Sequence, residues 1–250
     1  MDAPLVEYLL RLGDDRLVLG HRLSEWCGHA PILEEDIALA NIALDLIGQA
    51  SRLLALAGEI EGTGRDEDAL AYLREAIDFR NVLMVELPKG DFAFTIVRQF
   101  LFSVAAYYQM EALGRSKNTA LAGLAAKAVK ETRYHVRHTG EWVIKLGDGT
   151  AESHRRAQDA LDGLWRFTGE MFLKDDVDAA LIGEGMIPDM ATVEPQWRAQ
   201  VADVVQRATL TLPETGYMQR GGREGRHTEH LGHLLSEMQI VQRSYPGATW

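Results

Sequence analysis

The sequence predicts an all-α protein built as an antiparallel helical bundle, and three observations carry that expectation. Apolar residues recur at helical spacing along nearly the whole chain. No window alternates apolar and polar residues over the length of a strand. The helical stretches are long and the breaks between them short, which makes sequence neighbours antiparallel partners. With 250 residues, 46% hydrophobic and 25% charged, the chain is large enough for one sizeable core. No repeat or long linker divides it. A single domain over residues 1–250 is therefore expected, with a core bundle over about residues 3–173 and further helices and a loop over about 174–250.

The breaks place the elements. Pro31 separates a first helix, about 3–27, from a second, about 34–59. "EGTGRDED" interrupts the chain before a third helix over about 67–86, which "LPKGD" stops. A fourth begins near Asp91 and reaches Gly114, and a fifth runs from about 119 to the turn "LGDGT". The sixth, about 151–173, is amphipathic and carries Trp165, Phe167 and Phe172. Shorter helices follow at about 175–183 and 192–208, then the irregular segment "LTLPETGYMQRGGREGR" and a last helix over about 228–244.

A formal net charge of -11 disfavours wrapping nucleic acid or lying on an anionic membrane. The N-terminus lacks a signal pattern, and nowhere do 18 apolar residues run consecutively. A cytoplasmic protein is expected, with neither nucleic acid nor membrane as partner. Cys27, the single cysteine, has no internal disulfide partner and is expected as a small buried thiol.

The second helix, "EEDIALANIALDLIGQASRLLALAGE", is apolar around most of its circumference, as a helix buried on nearly all sides should be. Asn41, Asp45 and Gln49 interrupt it at i, i+4, i+8, on one stripe. The fourth helix repeats the theme with Thr95, Gln99 and Ser103, and Arg98 beside them. In the fifth, "KAVKETRYHVRH" adds Glu131 and His135. Buried polar groups need partners, and a Glu and a His one turn apart resemble half of a di-iron centre. A complete centre takes a Glu from each of two helices and a Glu-x-x-His pair from each of the other two. Here Thr132 stands three residues before His135, and Gly48 occupies the position after Asp45 where a His is needed. The middle of the fourth helix offers no carboxylate and Glu111 comes late, while the first could supply Asp15 or Glu25, neither diagnostic. Arg98 opposes two hard cations. The residues leave two readings, a two-metal site or a metal-free hydrogen-bonded network of Asn41, Asp45, Gln49, Arg98, Gln99, Glu131 and His135. The ligand count favours the network.

Two further clusters lie near the C-terminus. His230, His233 and Glu237 share a helix face at i, i+3, i+7, which suits a zinc ion with a bound water and equally suits the polar start of a helix. Arg220, Arg223 and Arg226 stand among glycines in "MQRGGREGR", a loop that either meets phosphate or a partner's carboxylates or is simply solvated and mobile.

The blocks "LRLGDD.LVLG.RL.EWCGHAP.LEED.ALANIALDL.GQA", "KAVKETRYH", "LWRFT.E.F" and "HTEHLG.LL.EMQ" closely resemble the PaaC-type subunits of the bacterial phenylacetyl-CoA 1,2-epoxidases, the ring-hydroxylating phenylacetyl-CoA oxygenases. The resemblance covers the chain from about Leu9 to Trp250. It implies a ferritin-like bundle that pairs with a homologous catalytic subunit, whose di-iron centre activates O2 and epoxidises the aromatic ring of phenylacetyl-CoA. Electrons come from NADPH through a reductase subunit with flavin and an iron–sulfur cluster, and a further small subunit completes the assembly. The subunit resembled is non-catalytic and supports the active one, so no cofactor or metal is expected on this chain. By position, Asp78, Phe79, Arg80 and Asn81 in "IDFRN" and Ala179, Ala180 and Leu181 in "VDAAL" border the CoA cleft, through main-chain contacts in preference to side chains. A packed helix face is the alternative reading of both segments. Two rival functions remain beside the structural subunit: a di-iron oxygenase in its own right, and a CoA-thioester-binding module.

Overall fold

A computed structural model describes residues 2–248, which are all-α as the ferritin-like expectation requires, with no strand among the described residues. The helices are α1 (Asp2–Ser24), α2 (Leu33–Glu61), α3 (Glu67–Tyr72), α4 (Leu83–Glu86), α5 (Phe92–Leu113), α6 (Thr119–Gly147), α7 (Ala151–Trp165), α8 (Asp176–Glu184), α9 (Met190–Arg207) and α10 (Glu229–Ser244). They fall into two compact units, one of residues 2–88 with 220–248 and one of residues 89–219.

In the first unit, α1 and α2 pack antiparallel, since Gly13 lies against Leu54 and Gly20 against Ala43 and Ile47. A Cβ on either glycine would meet a side-chain carbon of α2 at 2.8 Å, so two small residues seven apart let the helices close. Of the polar stripe on α2, Gln49 is buried, Asp45 half-buried and Asn41 exposed. Asn41 thus departs from the expected buried network. An i+4 step turns a helix by about 400°, so a stripe spaced by fours drifts about 80° between residues 41 and 49. By length and composition α2 could cross a membrane, as many core helices could, but half of its most apolar window is buried within the fold.

The expected third helix is broken. α3 ends at Tyr72, a 3-10 turn spans Ala76–Asp78, the backbone is extended at Phe79 and Val82, and α4 is one turn long. The local pattern supports a helix, but carboxylates of α1 capture the amides that would continue it. The N–H of Arg80 donates to Asp14 and that of Val82 to Asp15, both at 2.8 Å.

In the second unit α5 and α6 are antiparallel, with Phe92 edge-on to Trp142 at 5.1 Å and Arg133 near Tyr107. Side-chain caps from Asp91, Asn118, Thr150, Asp175 and Asp189 start α5, α6, α7, α8 and α9, each satisfying an amide that the helix leaves open. The sixth helix stops at Trp165, earlier than expected, and a 3-10 turn follows over Gly169–Phe172. There Trp197 is fully buried, stacks on Trp165 at 5.6 Å, and donates its indole N–H to the carbonyl of Leu101 at 2.9 Å. Cys27 is exposed in the turn after α1, contrary to the buried thiol expected, because the chain has left the helix before reaching it.

Candidate functional site

The most polar region of the first unit grows from three adjacent residues of α1. In "LRLGDDRLVLG", Asp14, Asp15 and Arg16 are all buried among apolar neighbours. Asp14 receives a two-pronged bond from the Arg74 guanidinium and the backbone N–H of Arg80. Asp15 receives Arg223 through both terminal nitrogens, at 3.1 and 2.8 Å, and the N–H of Val82. Paired forks of this kind are the strong form of a charged hydrogen bond. Burial pushes the Asp15 carboxyl up, against Arg223 and the Val82 amide, which hold it down. Arg16 donates to the Gln49 side chain at 2.9 Å and to the carbonyl of Leu12, and burial lowers its pKa.

A further buried acid, Glu86, sits at the end of α4. It accepts from the Asn81 amide at 3.1 Å, from His227 Nδ1 at 2.9 Å and from the backbone N–H of Thr228 at 2.6 Å. His227 places its other ring nitrogen 3.0 Å from the carbonyl of Phe79. Arg22 closes the same end, donating to the carbonyls of Glu86 and His230.

This network settles the glycine-rich loop. Arg223 is engaged within the fold, since it also donates to the carbonyls of Arg11 and Arg80. Gly222 lies so close to the carbonyl of Asn81 that any Cβ there would collide with it. Gly221 and Gly225 adopt positive φ of 141° and 76°, which side-chain-bearing residues rarely take. Arg220 is exposed, and Arg226 pairs with Glu224 at the surface at 2.5 Å.

The segment expected to border a CoA cleft is held by the same network. Phe79 is buried with the Arg74 guanidinium 4.3 Å from its ring centre, and Asn81 is buried. The main chain is engaged within the fold: the amides of Arg80 and Val82 by aspartates, and the carbonyls of Ile77, Phe79 and Arg80 by Arg80, His227 and Arg223. What this stretch turns outward is side chain, namely Asp78, the exposed Ile77 and the half-buried Arg80, which pairs with Glu7 at 3.2 Å. In the other unit, α8 exposes Ala179 and Ala180 and buries Leu181.

On α5 and α6, Arg98, Gln99 and His135 are buried and Glu131 half-buried. Gln99 donates to Ser103 at 2.9 Å, and Thr139 to the carbonyl of His135 at 2.7 Å. In the tail, His230 is half-buried while His233 and Glu237 are exposed. Among the described residues no three His, Cys, Asp or Glu side chains converge as metal ligands would. The donor set therefore does not fit a di-iron centre, which draws carboxylates and histidines to one point.

Sequence reasoning passed over Asp14, Arg74, Glu86 and His227. The one local signal was an acidic pair in the middle of a helix. Its partners lie 60 to 208 residues away, so spacing could not reveal them.

The model of the phenylacetic acid catabolic protein family matches residues 1–250. The sequence is 48% identical over 246 residues to a subunit of the 1,2-phenylacetyl-CoA epoxidase of Escherichia coli (strain K12), an alignment covering 98% of this chain and 99% of that one. The chain belongs to the phenylacetic acid catabolic protein family.

Proposed function

We propose that the chain is the non-catalytic structural subunit of a cytoplasmic phenylacetyl-CoA 1,2-epoxidase in aerobic phenylacetate degradation, pairing with and stabilising a homologous di-iron subunit. Similarity over nearly the full length to a subunit of that enzyme supports membership of such a complex. The observation that carries the non-catalytic role is the state of the acids. Asp14, Asp15 and Glu86 are committed to arginine, histidine and backbone partners, and no described cluster offers iron a ligand set. An exposed apolar stripe on α2 supports a subunit role. Leu33, Ile37 and Leu44, 71%, 54% and 67% exposed, lie within about 40° of one another around the helix, and such stripes mark interaction surfaces.

In this reading the di-iron centre belongs to the catalytic partner, and NADPH, flavin and an iron–sulfur cluster to a reductase subunit, with a small subunit completing the assembly. Asp78 and Arg80 are the first unit's proposed contribution to the edge of a CoA cleft; on the second unit the candidates, taken by themselves, are Ala179 and Ala180. Arg98, Gln99, Glu131 and His135 form the metal-free polar interior of α5 and α6.

Purification of the chain alone, with metal analysis, and its co-expression with the homologous subunit test the proposal together. The expected outcome is no stoichiometric iron on the chain alone, and a soluble, active catalytic subunit only in its presence. About two irons per chain with bound-metal absorbance, the loading of a complete di-iron bundle, would overturn it.

A further inference from the structure

Outside the buried network, the second unit carries an open groove of about 520 Å³ between α5, α6 and α9. That size falls within the range of small-molecule sites. Its walls combine three chemistries. Tyr107 and Tyr108 present aromatic surface, with ring centres 5.2 Å apart and planes at 70°. Arg133 and Arg137, one turn apart on α6, and Arg207 at the end of α9 bring three guanidinium groups, while Glu141 and Asp203 bring two carboxylates. Val136, Gly140 and Val204 supply apolar surface between them.

The arginines are not equivalent. Arg207 is drawn to Asp203 at 3.4 Å. Arg133 and Arg137 are exposed and have no carboxylate partner among the described residues. Each lies near an aromatic ring instead, Arg133 at 5.8 Å from the centre of Tyr107 and Arg137 at 5.7 Å from that of Tyr134. Most other arginines of this acidic chain are ion-paired, so two adjacent unpaired forks beside two tyrosines form a place prepared for an anion. Burial and the neighbours Tyr107 and Glu111 push the Tyr108 hydroxyl up, which keeps it a hydrogen-bond donor.

We propose that this groove binds a ligand of the nucleotide class, an aromatic base on a sugar that carries phosphate. The forks of Arg133 and Arg137 match phosphate oxygens, which a guanidinium can engage in pairs. A tyrosine face receives the base, and the guanidinium over Tyr107 adds a cation–π contact to the same surface. The two carboxylates decide between an anionic small molecule and an acidic peptide. Glu141 and Asp203 act against the negative charge of either ligand, but a nucleotide's sugar hydroxyls donate hydrogen bonds to a carboxylate, which an acidic peptide's carboxylate side chains cannot.

Titration calorimetry of the full chain with ADP, adenosine, pyrophosphate and tetraglutamate is the test. ADP is expected to bind with Kd below about 1 mM, and adenosine and pyrophosphate at least about tenfold more weakly, since each retains only part of the match. Arg133→Gln with Arg137→Gln should weaken ADP at least about tenfold, the scale of a lost charge-assisted contact. Both residues are at the surface, and an unchanged melting temperature verifies that the double variant folds. Tyr107→Leu, which removes the ring and leaves the charges, should also weaken ADP. Absence of saturable ADP binding, pyrophosphate binding as tightly as ADP, tighter binding of tetraglutamate, or full ADP affinity in both variants would overturn the proposal.

Discussion

The two units hold their irregular segments by different means. In the first, residues 78–82 and the loop before α10 are tied to α1 by buried charges: Asp14 to Arg74, Asp15 to Arg223, and beside them Glu86 to His227. In the second, the stretch after α9 is held by neutral groups. Gln158 exchanges two hydrogen bonds with the backbone of Thr211 at 2.9 Å each, and the N–H of Gln219 donates to the carbonyl of Arg166 at 2.7 Å. Charged anchors resist rearrangement strongly, but each is costly to leave half-made. Neutral anchors cost less to break and respond little to pH. Buried acids are therefore structural in the first unit, while the second is stapled by aromatic packing and caps.

Removing one partner of a buried pair sharpens that contrast most. Asp14→Ala leaves Arg74 enclosed without its carboxylate and the Arg80 amide without an acceptor, and a loss of about 3–5 kcal/mol is expected in urea denaturation. Pairing Asp14→Leu with Arg74→Met removes both charges. If charge alone matters, that double variant should recover nearly all the loss. If the aspartate serves chiefly as an acceptor for backbone, about 1–3 kcal/mol should remain missing for the orphaned Arg80 N–H. The equivalent break in the second unit is Trp197→Phe, which keeps an aromatic body but removes the hydrogen bond to the Leu101 carbonyl. About 1–3 kcal/mol is expected from the lost bond and the smaller ring together. A loss as large as that of Asp14→Ala would erase the distinction between the units.

Much of this fold could be read in the sequence because its signals are local. Caps such as Asp91, Asn118 and Thr150 stand beside the helices they start, and α5, α6 and α10 begin and end within a residue or two of expectation. The failures share a cause. The third helix was lost to carboxylates more than sixty residues away, and the arginine loop stayed open between two readings because Asp15 lies about two hundred residues before Arg223. Asn41 misled because a spacing of four was treated as a straight line. In the candidate site, residue types were visible, but which acids are committed to arginine was a tertiary fact.

The smallest effects separate the units by the sign of their pH dependence. The folded pKa of Asp15 is raised by burial above its ordinary 3.8, so its contribution to stability is full below that value and is lost as pH rises through the folded pKa. The stability difference between wild type and Asp15→Asn should therefore shrink as pH rises from 3.8. Glu152, on the surface of the second unit, is the reverse case. Arg155 and Arg156 bond its carboxylate at 2.9 and 2.6 Å and lower its pKa to about 2. Its contribution is present above 4.5 and fades as pH falls toward 2. Full exposure screens this triad, and exposed pairs contribute little, so Glu152→Gln should leave the urea midpoint unchanged at about pH 7. A clear fall there would mean that the triad and its contact to Asp91 at 3.2 Å anchor α7 to the start of α5 with charge, as the first unit anchors its loops.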